Sequence, residues 1–333
     1  MDFQPTDDRR LLRDTLTRYL AEQYPLSHRN AVAYAAPFHD PAKWTEMVEL
    51  GLLHALVPEA QGGLGGAGFD ITTVFEALGA ALCPEPVLSA VMAVQLLGSG
   101  DLCPLLSGHR YGVGLSEVTA QNDTLSGRLS VVYGGGVAQT LLVVADGALF
   151  AVAAKDAKIA AYGMIDGGGA ADVFLDNTPA ARISDHANLV QAMDAGALAL
   201  CAEAIGAMDT SFALLTDYLK TRKQFGQTIG SFQAVQHRVV DLMTEIEQAR
   251  SITILAASRF GTDGQSRAVS MAKSLVGRVA QQMSEEMIQL HGGIAMTWEH
   301  PASHFAKRLV MIDHRLGNSD AHLTRVASHY FDT

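Results

Sequence analysis

Cysteine is scarce in this chain of 333 residues: only Cys83, Cys103 and Cys201 are present. Three widely spaced thiols make neither a disulfide framework nor a metal-ligand spacing, and they point to a reducing compartment. Basic residues are outnumbered, 24 Lys+Arg against 35 Asp+Glu, for a formal net charge of −11. A chain this acidic lacks the electrostatic footprint of a nucleic-acid or anionic-membrane binder. Long hydrophobic runs are missing as well. No stretch reaches about 18 uninterrupted apolar residues, so no membrane span is expected. The opening MDFQPTDDRR is acidic and has no apolar core, unlike a secretory signal or an Arg-rich transit peptide. These features together predict a cytoplasmic protein.

What is present falls into three textures. Residues 1–103 read as a helical domain: Leu11, Leu12, Leu16, Tyr19 and Leu20 recur at helical spacing, and 44–53 and 71–82 repeat the pattern. Residues 104–184 carry short β-like runs, LLVVA, LFAVAA and ADVFL, broken by Gly, Asp and Asn. Residues 185–333 return to helix in four long segments, about 188–221, 232–260, 265–290 and 303–331. In the second of these, Phe232, Val235, Val239, Leu242, Ile246 and Ala249 form one apolar stripe. Ser231 is its expected N-cap, and His291-Gly292-Gly293 closes the third segment. The predicted fold is mainly α with a small central β domain. It has an N-terminal helical domain, a reduced antiparallel β domain and a C-terminal four-helix bundle.

Two motifs are set aside. GLGGAG (63–68) matches a dinucleotide fingerprint in letters only, because no strand precedes it and no βαβ unit follows. Among twelve histidines, His300 and His304 stand at i, i+4 with His314 and His322 nearby; a zinc site wants a third ligand and a supporting carboxylate, and the expected reading is scattered surface or capping histidines with no metal. The corner TRKQFGQTIGSFQ (221–233) is different. One reading is a basic helix end in which Lys220, Arg222 and Lys223 complement the helix dipole. The other is an anion site, where a guanidinium grips a phosphate bidentately and Phe225 and the glutamines meet a heterocycle. QLHGGIAMTWE (289–299) has a similar character, with glycines that let a ligand approach the backbone.

With RKQFG, IGSFQAVQ, QLHGGIAMTWEHP and the earlier VPEAQGGLGGAGFD…FEALG in place, the chain resembles the acyl-CoA dehydrogenase family over essentially its whole length. The resemblance implies FAD as cofactor, gripped partly across a subunit interface by Arg222, Gln224, Phe225, Gln289, Gly292 and Gly293. It also implies an acyl-CoA substrate, electron-transfer flavoprotein as electron acceptor, and a tetramer built with itself or a homologous partner subunit.

Departures from the family pattern are concentrated at the chemistry. The flavin-contacting T-E-x-x-x-G-S-D becomes SEVTAQND (116–123), keeping Ser116 in kind, and a W-x-T stretch becomes Val131-Val132-Tyr133. Removing the α-proton of a thioester needs a carboxylate at Cα. The E-G-T turn that often supplies it reads Leu316-Gly317-Asn318, with Asn318 retained as a cofactor contact. The alternative position on the first bundle helix is Gly196, followed by Ala197. Three readings follow. The chain is a complete dehydrogenase with a relocated base, for which Asp241 is the first candidate and Glu245 the second. It is one subunit of a hetero-oligomeric dehydrogenase that shares its sites with a partner. Or it is a cofactor-free scaffold that kept the fold.

Overall fold

A computed structural model describes residues 6–115 and 118–331, the side chains of 329–331 excepted. The chain forms two compact units. One draws on Gln23–Ile71 and Pro84–Gly196, the other on the described parts of Met1–Glu22, Thr72–Cys83 and Ala197–Thr333. The first eight helices are α1 (Asp7–Gln23), α2 (Leu26–Ala33), α3 (Pro41–Glu49), α4 (Leu52–Ala55), α5 (Gly68–Ala80), α6 (Val87–Leu97), α7 (Cys103–Leu106) and α8 (Leu189–Thr221). The helices of residues 1–103 are thus shared out between the units.

The unit containing residues 84–196 holds eight of the strands. Its strands are β1 (Tyr111–Gly114), β2 (Val118–Gln121), β3 (Thr124–Tyr133), β4 (Thr140–Ala145), β5 (Ala148–Ala153), β6 (Lys158–Gly163), β7 (Gly169–Pro179) and β8 (Ala181–Ser184). They make two four-stranded sheets, ordered β1-β4-β5-β8 and β2-β3-β7-β6. Pairing is antiparallel except between β1 and β4, which run parallel with Tyr111 opposite Thr140. Leu125, Leu129, Val132, Leu141, Val143, Phe150, Val152 and Val173 form one buried cluster drawn from both sheets. Each such side chain contributes about 1.5–3 kcal/mol by leaving water. A register shift between Leu129 and Val132 throws Val131 outward at φ 54, where its N–H donates to Asp172 Oδ1 at 3.1 Å. Helix α6 is apolar apart from Ser89 and Gln95 and correspondingly buried.

The GLGGAG loop lies in the same unit and is a packing device. A Cβ on Gly63 would stand 1.9 Å from the Val57 carbonyl oxygen, and one on Gly65 2.7 Å from that of Ala55. Ala67 N–H then donates to the Asp70 carboxylate at 2.9 Å as α5 begins.

The other unit is built on the second part of α8 with α9 (Gln233–Arg259), α10 (Gln265–His291), α11 (Pro301–His314) and α12 (Ser319–Phe331). Leu198, Ile205 and Met208 on α8 are buried, as are Leu242 and Ile246 on α9, Val276 and Met283 on α10, and Leu309 on α11. The α8 helix is long and apolar enough to cross a membrane, but 72% of that stretch is buried inside the protein, as in a core helix. Helices α9 and α10 are tied by Arg238 to Glu286, through two bonds of 2.9 Å, and by Arg278 to Glu245 at 3.2 Å. The descending and ascending numbers show that the two run antiparallel.

Helix α5 meets α8 through a pair of glycines. A Cβ on Gly79 would lie 2.0 Å from the Glu203 carbonyl oxygen, and one on Gly206 1.9 Å from that of Glu76. Each glycine thus receives the other helix's backbone, and Thr210 Oγ1 donates to Ala80 O at 3.2 Å beside them.

Two details depart from the sequence reading. Ser231 does not cap α9: Phe232 is the N-cap residue and offers no side-chain acceptor, while Ser231 Oγ donates to Thr228 O at 2.6 Å. The segment 303–331 is two helices, because Leu316 (φ 55) and Gly317 (φ 95) reverse the backbone after α11. Lys273, fully buried, holds this turn by donating to Asp313 O at 2.9 Å and Gly317 O at 2.8 Å.

Candidate functional site

The corner at 222–233 is a short β-hairpin. Strand β9 (Lys223–Gln224) pairs with β10 (Gln227–Thr228), Gln224 opposite Gln227. The two residues between them have left-handed φ, 54 at Phe225 and 84 at Gly226. That is the signature of a type I′ turn, whose usual first residue is Asn or Asp. A bulky aromatic there is a conformational outlier. Phe225 is 91% exposed, and among the described residues the one ring against it is Phe232, edge-on at 6.2 Å. The burial of a Phe side chain is therefore not recovered within the chain.

Arg222 is exposed and forms no ion pair among the described residues; Gln224 and Gln289 are exposed too. At the end of α10, Gly292 reverses the chain at φ 69, and a Cβ on Gly292 or Gly293 would meet nothing within 4 Å. No packing among the described residues requires glycine at 293. The absence of a side chain leaves the backbone there open to approach from outside.

These two stretches share one end of the unit. Tyr218, one turn before Arg222, stacks on His291 with ring centroids 4.6 Å apart and planes at 28°. His300 meets His291 edge-on at 5.1 Å. His291 donates from Nδ1 to Met287 O at 2.8 Å, and Ala302 N–H donates to His300 Nδ1 at 3.2 Å. Burial lowers the pKa of both, with the His291 charge a further cause for His300, so the pair favours its neutral form. Helix α9 begins at this end without a side-chain cap, the setting in which first-turn N–H groups donate to an anion. The arrangement can hold an anion against an aromatic face.

The remaining predicted residues lie elsewhere. Asp241 sits on α9, exposed, with no hydrogen-bond partner among the described residues, whereas Glu245 one turn on is engaged by Arg278. Asn318 caps α12: its Oδ1 accepts from Ala321 N at 3.0 Å. It neighbours Ser319, whose Oγ stands 3.1 Å from a Cβ built on Gly277. Gly277 and Gln289 are about 18 Å apart along α10 at 1.5 Å per residue, so Asn318 is not gathered with the hairpin end. Ser116 lies outside the described residues. Of the rest of SEVTAQND, 118–121 is β2, and Asn122 (φ 52) opens the turn into β3. Leu316 is buried, as are Gly196 and Ala197, and none has a titratable side chain. Among the described residues, no three His, Cys, Asp or Glu stand together as metal ligands. Sequence reasoning missed Tyr218 and weighed His300 only as a metal ligand; the Tyr218–His291 stack joins residues 73 positions apart and leaves no local signal.

Residues 187–331 match the family model of the acyl-CoA dehydrogenase C-terminal domain, and residues 6–101 that of the acyl-CoA dehydrogenase N-terminal domain. The chain is 30% identical to acyl-CoA dehydrogenase IpdE2 of Mycobacterium tuberculosis, over 91% of each chain. It is 29% identical to IpdE2 of Mycolicibacterium smegmatis, over 98% of this chain and 100% of that protein. Acyl-CoA dehydrogenase FadE34 of M. tuberculosis is 30% identical over 92% of this chain, which spans only 44% of FadE34. Among solved structures, the ChsE4-ChsE5 complex from M. tuberculosis shares the fold, with a TM-score of 0.92 at 24% identity over 100% of both chains. The Tcur3481-Tcur3483 steroid ACAD does so at 0.88 and 24%, over 98% of each. With both family models matched in chain order and a relative aligned along nearly its full length, the chain belongs to the acyl-CoA dehydrogenase family, flavin-dependent oxidoreductases acting on the CH–CH bond of acyl-CoA.

Proposed function

We propose that this chain is one subunit of a hetero-oligomeric, FAD-dependent acyl-CoA dehydrogenase, and that its hairpin end reaches the cofactor at a subunit interface. The observation that carries this reading is Phe225, held in a left-handed turn and 91% exposed. Such an outlier is kept where a contact outside the chain recovers its cost. The surrounding donors fit a dinucleotide. Arg222 would take a phosphate bidentately, Gln224 and Gln289 would donate to polar edges, Phe225 would lie against the adenosine part, and the Gly292-Gly293 backbone would close on it. When bound, FAD supplies the acceptor for the substrate's β-hydride.

The chain's own contribution is to bind and orient. The α-proton must go to a carboxylate, and Leu316 and Gly196 stand where the family carries one. We assign that base to a partner subunit, with Asp241 as the candidate within this chain. A base must be held by surrounding contacts, and Asp241 has no hydrogen-bond partner among the described residues. Heteromeric neighbours of the same fold, one of them a steroid ACAD, support an acyl-CoA with a bulky, steroid-derived acyl group. Electron-transfer flavoprotein is the acceptor this reading implies. The test is to purify the chain alone and co-expressed with a homologous partner, then measure flavin absorbance, assembly mass and thioester-driven flavin reduction. The proposal expects flavin and activity only in the mixed assembly. Full activity of a homo-oligomer, or a colourless mixed assembly, contradicts it.

A further inference from the structure

Wholly within the unit of Gln23–Ile71 and Pro84–Gly196 lies a cavity of about 510 Å³. Small-molecule sites occupy about 300–1,000 Å³. One wall is α3, with Trp44, Val48 and Glu49; the other is the loop Ser107–Arg110, joined by Gln139. Trp44 Nε1 donates to Gly108 O at 2.8 Å, fixing the loop against the helix, and Gly108 takes φ 89 to let it turn there.

Arg110 is immobilised by every group except its terminal nitrogens. Its backbone N–H donates to Gln139 Oε1 at 3.1 Å, its carbonyl accepts from Gln139 N at 2.8 Å, and its Nε donates to Val137 O at 2.9 Å. It has no carboxylate partner among the described residues. An exposed arginine normally loses much of its binding energy to the ordering of a long side chain, and here that ordering is already done. Gln139, with its oxygen engaged, presents its amide N–H₂. His109 has its Nε2 on Thr140 Oγ1 at 2.9 Å.

We infer that this cavity binds a small organic oxyanion, a carboxylate or a phosphate monoester, with its head on the Arg110 guanidinium and its apolar body along Trp44, Val48 and Pro104. A planar, bidentate acceptor matches the free edge of the guanidinium. Glu49 at the rim adds an acceptor on the opposite side, so a ligand with a hydroxyl or ammonium remote from its anionic head fits better than a bare ion. Burial and the neighbouring Arg110 both lower the His109 pKa, which keeps that ring neutral and leaves Arg110 as the charge that selects the anion. This site is independent of the cofactor reading above.

Calorimetric titration of the full chain with phenyl phosphate, benzoate and benzyl alcohol tests it. One of the two anions is expected to bind and the uncharged alcohol not to. Tighter phenyl phosphate assigns a phosphate ligand, tighter benzoate a carboxylate. Arg110→Gln should weaken the preferred anion tenfold or more, as loss of a charge-assisted pair does. Thr45→Trp, at an exposed position on the cavity rim, should block it without touching Arg110. Absence of binding by both anions overturns the proposal. So does binding that survives both variants, or binding lost in Arg222→Gln and retained in Arg110→Gln, which would move the anion to the bundle corner.

Discussion

Tyr218 and His291 stack face to face, 4.6 Å between ring centroids, and this contact sets the end of α8 beside the end of α10. Two stretches some seventy positions apart in sequence thereby share one end of the unit: a hairpin carrying Arg222 and Phe225, and a glycine turn carrying Gly292 and Gly293.

Arg222→Ala should weaken FAD binding by about tenfold or more, since a guanidinium–phosphate hydrogen bond is worth about 1.5–3 kcal/mol. Arg222→Lys should recover only part of the loss, because an ammonium cannot bind two oxygens in the same fork. Flavin content of the purified assembly and the dissociation constant from flavin fluorescence measure both. Equal flavin retention in all three proteins would remove Arg222 from the cofactor site.

Asp241→Asn separates the two sources of the base. With the base on the partner, the mixed assembly carrying Asp241→Asn should reduce its flavin with substrate as fast as the parent. With the base on Asp241, flavin stays bound and reduction falls by orders of magnitude. Anaerobic stopped-flow absorbance of the flavin distinguishes these outcomes.

Gly206→Ala should destabilise the helical unit by about 1–3 kcal/mol or more, the usual range for overpacking a tight contact. The added Cβ would stand 1.9 Å from a carbonyl oxygen that cannot rotate away. Gly79→Ala should act alike. The double variant should cost less than the sum, because the first substitution already spreads the helices. Urea midpoints of the four proteins provide the cycle.

His322 makes stability depend on pH. It is buried, its Nε2 donates to Leu316 O at 3.0 Å, and burial lowers its pKa from 6.5 to about 4, with the Lys273 charge a further lowering cause. Between those values the unfolded chain binds the proton more readily than the folded one, so stability rises with pH. The contribution is complete above about pH 6.5 and is lost as pH falls toward about 4, amounting to at most about 3 kcal/mol. His322→Gln should flatten the pH dependence of the urea midpoint across that window. An unchanged slope would show that His322 does not titrate there.

The helices were readable in advance because long runs such as Leu242, Ile246 and Ala249 repeat at 3.6 residues and bury one side. The first half of that stripe is less covered than its spacing predicts: Phe232, Val235 and Val239 are only half-buried. The break at 315–318 had a local signal in Gly317-Asn318, and Asn318-Ser319-Asp320 is an ordinary helix start. Its capping role competes with the cofactor contact expected of Asn318. Arg222 and Phe225 were found through their motif. Nothing in the letters told that Phe225 occupies a left-handed position, because periodicity carries no information on single turn residues. The buried pair of Arg308 and Glu203 joins residues 105 positions apart and has no local signature.

The unit that contains the hairpin is assembled from three separated lengths of chain, and all of Pro84–Gly196 intervenes before its helices α8 to α12 are complete. On the ribosome, α1 and the end of α5 must wait unpaired while the β-containing unit is still being made, so the sandwich can close first and the bundle last. A fragment cut to begin at residue 185 would lack α5 altogether. The groove at Gly206, which has no side chain to fill it, would then lie open to a helix from another molecule, and the fragment should associate rather than remain single.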